Sequence, residues 1–486
     1  MSNRKKLQDI VKGRYGRKIA YTDVETINEE NIISVLGETC GAFTFNKSIV
    51  KYLWDYYKGD QPILYRTKVV RDDLDPNNVV ENHAWEIVQF KTGQTYGEPI
   101  QVIAMGDNEQ TNALVDKFND YLRIANKSAR DIECGLWQSA VGFGYKAVLF
   151  NNKKGANIPF LLTVPTPMDT YIVYSRQTKQ PLMAVQELKD ADKQIYRLCF
   201  TDTHIYKVKN GEIVGDPQLN GFQRIPIVEY PNNPERISDI ELVISMLDAI
   251  NNMQSNRMDA VEQFVQSWVK FINCDIDSDS FKEMKKMGAI SVKQNTDNGK
   301  ADVDIMSQEL KQSESQIAKQ DLWDNVLSIS AIPNKQGNSS GDTQGAVQLR
   351  NGWDFSKQRA RMKDPFVVES ERAIDDVILN VIKIKGKDDV PLSSLDYDIQ
   401  ISHSPTDNML VKAEVFQMLV QSGIHPLVAI KACGLWNDPE KVYTMSKPYL
   451  DAIYQTLDEK IEQMGLQEQL DKANKLIEEY KNGISE

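Results

Sequence analysis

The spacing of hydrophobic positions changes several times along the chain, and each change predicts a different kind of element. Asn46 to Tyr57 (NKSIVKYLWDYY) reads as a helix and is followed by the polar, turn-rich DDLDPNN and then ENHAWEIVQFKTGQTYGEPI. An amphipathic stretch from about Asn112 to Ala140 has apolar residues at helical spacing, and Gly142 and Gly144 end it. From Tyr145 to Tyr230 the pattern turns to short β-like runs: KAVLF, PFLLTV, TYIVYS, LMAVQEL, QIYRLCF and HIYKVKNGEIVG. In the last of these, Asn210-Gly211 lies between alternating residues, and both positions tolerate positive φ, which predicts a hairpin. Strands in succession without intervening helices predict an antiparallel region rather than a doubly wound nucleotide-binding fold.

The character changes after RIPIVEYPNNPERISDIE. Ser238 and Glu241 match the capping box S-x-x-E, and the pattern predicts a helix from Asp239 to about Lys270. At 1.5 Å per residue such a helix spans roughly 48 Å, long for a globular protein. Its apolar positions, among them Ile240, Ile244, Leu247, Val261 and Trp268, keep helical spacing except across the polar centre NNMQSNR. Asn273 to Ser307 reads as a small polar unit with β character. A second helix, containing Trp323, is predicted from about Gln308 to Ser330 and stops at Pro333. The segment IPNKQGNSSGDTQG follows as a loop, and a third helical stretch occupies Ala346 to Lys385, with Pro365 expected to kink it and Gly386 to stop it. A strand-like DYDIQISHSP precedes a polar helical region from about Asn408 to Glu486.

Composition narrows the classes. A chain of 486 residues with 41% hydrophobic content can bury a sizeable core. No stretch of about 18 apolar residues predicts a membrane span, and the N-terminal sequence does not read as a secretory signal. The net charge of -12 stands against a protein whose whole surface grips a nucleic-acid backbone but does not exclude DNA, since a channel through which DNA slides benefits from weak or repulsive walls. Only the first 18 residues are strongly basic, with seven Lys or Arg against one Asp, and they read as a solvated or disordered leader in preference to the alternative, a nucleic-acid arm. The five cysteines are scattered without a CxxC pair, and the four histidines lack metal-ligand spacing. No metal or cofactor is therefore expected.

Sequence motifs for catalysis are missing. There is no G-x-x-x-x-G-K-[ST] phosphate loop, which disfavours an ATPase motor, and no dinucleotide fingerprint or G-x-S-x-G elbow. Asp275, Asp277 and Asp279 resemble the start of an EF-hand loop. That loop needs glycine at its sixth place and glutamate at its twelfth, where this chain has Ser280 and Lys286. The alternative is that Asp279 or Ser280 caps a short helix. No catalytic residue is assigned.

The order of these elements resembles the portal proteins of tailed bacteriophages, particularly of long non-contractile-tailed phages of Gram-positive bacteria. The resemblance rests on ENHAWEIVQFKTGQTYGEPI, on IPIVEYPNNPERISDIELVISMLDAINNMQSNRMDAVEQF opening a long helix, and on the insertion, returning helix and Ser-Gly loop that follow; it covers about residues 45 to 460. It implies an α+β portal fold with a wing (1–237), a first stem helix (238–272), a clip (273–307), a second stem helix (308–331), a tunnel loop (332–344), a kinked helix returning to the wing (345–407) and a helical crown (408–486). It further implies a non-enzymatic ring of twelve subunits at one capsid vertex of the virion, assembled in the host cytoplasm. The implied partners are double-stranded DNA bound without sequence specificity, the terminase large subunit, a head–tail adaptor protein, and the major capsid and scaffolding proteins, with no membrane. On this pattern Asn334, Lys335, Gln336, Asn338, Ser339 and Ser340 face DNA in the tunnel loop, and Lys282, Lys285, Lys286 and Lys293 of the clip either dock partners or form a solvated face. Ser238, Glu241, Trp268 and Trp323 belong to the stem helices. SSGDTQGAVQLR departs from the family in lacking an aliphatic residue soon after Ser-Gly, which shifts the helix start toward Gly345. Another ring-forming virion or head–tail connector component is the alternative, but such proteins are usually much shorter.

Overall fold

The computed structural model describes residues 15–67, 76–105, 108–265, 268–272, 302–306, 312–334, 352–386, 390–403, 409–433 and 441–449, together with a few isolated positions. Within it the chain divides into two compact units, one of residues 1–100 and 104–403 and one of residues 101–103 and 404–486. Helices and sheets are mixed throughout the first unit, which makes the fold α+β.

Helix α1 (Ile32–Tyr57) begins fourteen residues before the predicted start. Its buried residues recur three and four apart, and they serve two cores. Ile32, Val35, Leu36 and Phe43 pack with Val173, Met183, Val185 and Cys199 of the large sheet. Ile49, Val50, Leu53 and Tyr56 pack with Ile240, Ile244, Leu247, Val326 and Ile332. Fusing both cores to one rigid rod joins the sheet to the helical middle. Helix α2 (His83–Tyr96) starts where the Asn82 side chain accepts from the backbone N–H of Trp85.

The amphipathic stretch expected as one element is two helices, α3 (Glu109–Ile124) and α4 (Lys127–Val141), because Asn126 adopts the left-handed conformation (φ 55°) between them. Gly142 ends α4 as predicted: its φ is +96°, and a Cβ there would lie 2.1 Å from the Arg236 carbonyl oxygen.

The predicted strands form two sheets. Strand β1 (Ala20–Thr22), which the pattern did not reveal, pairs in parallel with β5 (Thr170–Ser175). Beyond it β5, β6 (Pro181–Lys189), β7 (Ile195–Phe200) and β8 (His204–Lys209) run antiparallel in sequence order, with β9 (Glu212–Ile213) and β10 (Gln218–Leu219) on β8. The β8–β9 turn is the predicted hairpin, with φ of 53° at Asn210 and 83° at Gly211. Strand β11 (Ile227–Pro231) returns to pair with β3 (Phe143–Phe150), and β3 pairs with β4 (Phe160–Thr163) in a separate three-stranded sheet.

In the helical middle, α5 covers Ile244–Val265, shorter than the predicted Asp239–Lys270. Residues 239–243 form turns, and Trp268 opens a strand, β12 (Trp268–Ile272), that pairs antiparallel with β13 (Asp302–Met306). The second helix, α6, spans Gln312–Ile329. The predicted Pro365-kinked helix is instead two, α7 (Trp353–Arg361) and α8 (Asp364–Lys385). Pro365 lies in the first turn of α8, where its missing N–H breaks no bond and its fixed φ suits a helix start. Gly386 ends α8 as expected. The predicted strand near 396–405 is β14 (Tyr397–Gln400).

The second unit holds α9 (Met409–Gln421) and α10 (Pro426–Cys433), joined through Gly423 at φ 83°. Phe416 meets Trp436 edge-on, with ring centroids 5.9 Å apart. Most of the predicted final helix, Tyr449 to Glu486, lies outside the described residues.

Candidate functional site

The sequence places its candidates on the helical middle, and the structure shows how that region is held. Helices α5 and α6 pack as an antiparallel hairpin. Arg257 donates to Gln316 at 2.8 Å and Lys319 to Gln254 at 3.3 Å, so that residue numbers rise on one helix as they fall on the other. At the body end the hairpin buries Leu247, Ile250, Val326 and Leu327. At the other end the β12–β13 ladder carries the chain out of α5 and back toward α6.

Ser238 and Glu241 make the bonding of a capping box, but on the turns before α5 rather than at a helix start or within the stem helix, since α5 begins at Ile244. The Ser238 backbone N–H donates to Glu241 Oε2 at 3.1 Å, and Ser238 Oγ accepts from Ile240 N–H while donating to the carbonyls of Ala140 and Ser139. Glu241 is fully buried and takes a two-pronged guanidinium from Arg17, at 2.9 and 3.1 Å. The basic leader is therefore anchored by Arg17, a buried residue, and is not solvated at that point.

The polar centre NNMQSNR has a structural reason that the sequence alone concealed. Asn251 Oδ1 accepts from the backbone N–H of Glu81, Ser255 Oγ from that of Val79, and Asp259 Oδ1 from that of Asn77, at 2.8, 3.0 and 2.7 Å. Residues four apart on a helix advance about 6 Å, and residues two apart on an extended chain about 6.6 Å, so the two repeats match. The helix face thus serves as an edge strand for residues 77–81. Arg66 locks one end, paired with Asp259 at 2.7 Å and donating to the Asn77 carbonyl. At the other end Lys319 of α6 reaches Glu81 at 2.5 Å, and Trp323 stacks on His83 with centroids 3.9 Å apart. The detectable signal was the spacing of Asn251, Ser255 and Asp259 along one face of the apolar helix.

A second feature lay beyond sequence reasoning. Lys127 and Lys146, both buried, alternate with Asp131 and Glu371 in a closed ring of ion pairs that joins α4, β3 and α8. Burial pushes the Glu371 carboxyl up, but the two lysine charges outweigh it and hold it at about 2. Asp375, one turn further along α8, is driven well above its ordinary value by burial and by the Glu371 charge. The cluster is balanced, two cations against two anions.

The remaining candidates fall as follows. Asn334 is half-buried and donates to Asp324 at 3.3 Å. Lys282 is exposed beside Asp279 at 3.4 Å, a surface pair of little energetic weight. The Trp268 backbone stands in β12 rather than in a stem helix, a correction set by strand pairing with Met306. Lys335, Gln336, Asn338, Ser339, Ser340, Lys285, Lys286 and Lys293 lie outside the described residues. Among the described residues, no group of three or more His, Cys, Asp or Glu is set to hold a metal, and no helix is long and apolar enough to cross a membrane. Cys134 and Cys199 are buried, and burial pushes both thiols up to about 12.

Fold and site together define an α+β protein organised around a helix hairpin, with an insertion between its helices and a polar segment after them in sequence. A model of the family described as phage portal protein, SPP1 Gp6-like, matches residues 46–475, and the chain belongs to this family of phage portal proteins. The portal protein of Bacillus phage SPP1 is 25% identical over 244 residues, an alignment spanning 44% of this chain and 44% of that relative's length. Among solved structures, the neck of an empty GTA particle is similar at 11% identity and TM-score 0.45, covering 73% of this chain and 90% of that one. The virion of a native gene transfer agent particle is similar at 11% identity and TM-score 0.44, covering 80% and 94%.

Proposed function

We propose that this protein is a portal subunit: copies, twelve on the family's pattern, close into a ring at one capsid vertex and form the channel through which double-stranded DNA is packaged and ejected. The observation that carries this reading is the family match across residues 46–475. A heterologous contact repeated around an axis closes when the rotation fits, and a helix hairpin repeated in that way makes a narrow waist. On this reading the hairpin is the stem, residues 273–307 are the clip that docks the terminase large subunit and later a head–tail adaptor, 332–344 face DNA, and 408–486 form the crown. The protein acts mechanically and has no catalytic role of its own. Small polar residues at 334–340 suit contact with a moving duplex, because they offer hydrogen bonds without reading bases.

Electron microscopy of the purified protein tests the ring directly: closed particles with a central hole are expected, and a protein that stays monomeric under assembly conditions overturns the reading. Deleting Lys335 to Gly341 tests the loop. Rings should still form while DNA packaging falls, and full packaging by the deletion would remove the loop's role.

A further inference from the structure

Where the two ends of the hairpin meet the body, Ser238 and Ser330 line a cleft of about 560 Å³. Its charge is at odds with the rest of the chain. Lys357, Arg359, Arg361 and Lys363 put four cations within seven residues of a protein whose net charge is -12. Arg359 and Lys363 line the cleft, joined by Lys91 of α2. Among the described residues these three meet aromatic rings at 5.8 to 5.9 Å but no carboxylate within ion-pair distance. Two acids share the cleft. Asp239 is already committed, its Oδ2 accepting from Ser139 Oγ at 2.6 Å and its Oδ1 from Asn232 at 3.1 Å. Glu235 stands exposed and also lines the cleft. The shortage of counter-charge registers on the lysines: burial, with the neighbouring Lys91 charge, holds Lys363 down at about 8, and Lys91 is lowered chiefly by burial.

The walls are apolar. Leu242, Ile329 and Met362 line the cleft and remain 49%, 41% and 64% exposed, beside Ile237 and Phe366. A nucleic-acid backbone would satisfy the cations and leave these side chains uncovered. A peptide surface that sets carboxylates beside aliphatic groups covers both. The chain's own residues 335–351 do not supply that charge, because they carry Asp342 against Lys335 and Arg350. A second copy carries the complementary net charge, with 69 acidic residues against 57 basic.

We propose that this cleft receives an acidic, partly apolar surface of a neighbouring copy of the chain, as a subunit contact that closes the ring. The inference rests on the portal reading above. The test uses the full chain and two variants, the exposed Arg359→Glu and the double change Arg359→Glu with Lys363→Glu. The protein concentration at half-assembly is read by mass photometry across a salt series, with circular dichroism as the check on folding. In wild type the half-assembly concentration should rise with salt; in Arg359→Glu it should be about tenfold higher at low salt and depend less on salt, as expected when a desolvated interfacial charge is reversed. Carbodiimide cross-linking of rings mixed from light and heavy-isotope protein should join Lys91 or Lys363 to an acidic residue of another copy. Three results overturn the proposal: Arg359→Glu rings forming at wild-type concentration, cross-links from these lysines confined to one chain, or variants that assemble normally and lose only DNA retention, which would make the cleft a nucleic-acid site. A wild type that forms no ring at all instead defeats the portal reading itself.

Discussion

The seven-stranded sheet and the helix hairpin solve the same problem, fixing two pieces of chain together, with opposite chemistry. In the sheet, Val173, Met183, Val185 and Cys199 are fully buried against α1, and the contact is apolar. Such packing follows area and shape and is indifferent to direction, so neighbours can relax around a change. In the hairpin, Asn251 and Ser255 are fully buried and Asp259 nearly so, yet they hold residues 77–81 by directed bonds to backbone N–H groups. Removing one partner there leaves a half-buried N–H donor without its directed bond. The buried ring of Lys127, Asp131, Lys146 and Glu371 carries the polar solution to its extreme, because each charge depends on the others.

The contrast breaks most sharply at Glu371. Glu371→Gln leaves two buried lysines facing one carboxylate, and a loss of about 3–5 kcal/mol in denaturant unfolding is expected. Removing one cation and one anion together, Lys146→Met with Glu371→Leu, keeps the Lys127–Asp131 pair at 2.7 Å and should recover most of that loss. Next in size is the apolar side of the comparison. Met183→Ala in the sheet core should cost about 2–5 kcal/mol by cavity formation. Asn251→Ala should cost about 1–3 kcal/mol, and its effect should be local. Hydrogen exchange at Val79 and Glu81 should accelerate while the amide of Val185 stays protected, and uniform loosening of both would contradict the division drawn here.

His403 supplies a pH-dependent version. Its Nδ1 lies 2.8 Å from the Gln94 carbonyl oxygen and its Nε2 2.7 Å from Asp364 Oδ2, two acceptors that favour the doubly protonated ring. Burial opposes that charge, but the bonds to Asp364 and Gln94 prevail and raise the pKa. Because the folded value lies above the unfolded one, the stabilisation is complete below pH of about 6.5 and fades as pH rises through the folded value. The stability difference between wild type and His403→Gln, measured by denaturant unfolding across pH, should therefore shrink toward alkaline pH. Growth of the difference in that direction would mean that the neutral ring is the bound form. The smallest effect is expected at Gly211→Ala, about 1 kcal/mol, since φ of 83° disfavours any side chain at an exposed turn.

Much of the fold was legible because it depends on local repeats. Strand runs from Tyr145 to Tyr230, the Asn210-Gly211 turn, the Gly142 and Gly386 stops and the local Ser238–Glu241 bond all follow from backbone preferences that neighbours in sequence set. The tertiary structure decided where elements ended and what they touched. Strand β1 is three residues long and gains its identity only from pairing with β5, and Trp268 left the predicted helix because Met306 offered a strand partner. Gln101–Ala104 forms a strand, β2, that is likewise too short to announce itself. The polar centre of α5 looked like an interruption until residues 77–81, some 170 positions away, were seen to lie against it. Lys146 read as one polar residue in a strand, and its role came from Asp131 and Glu371, which share neither its element nor each other's. Local spacing fixes periodicity, turns and caps because those are short-range steric and hydrogen-bonding preferences. Partners for buried polar and charged groups come from distant parts of the chain, and only the closed fold brings them within bonding distance.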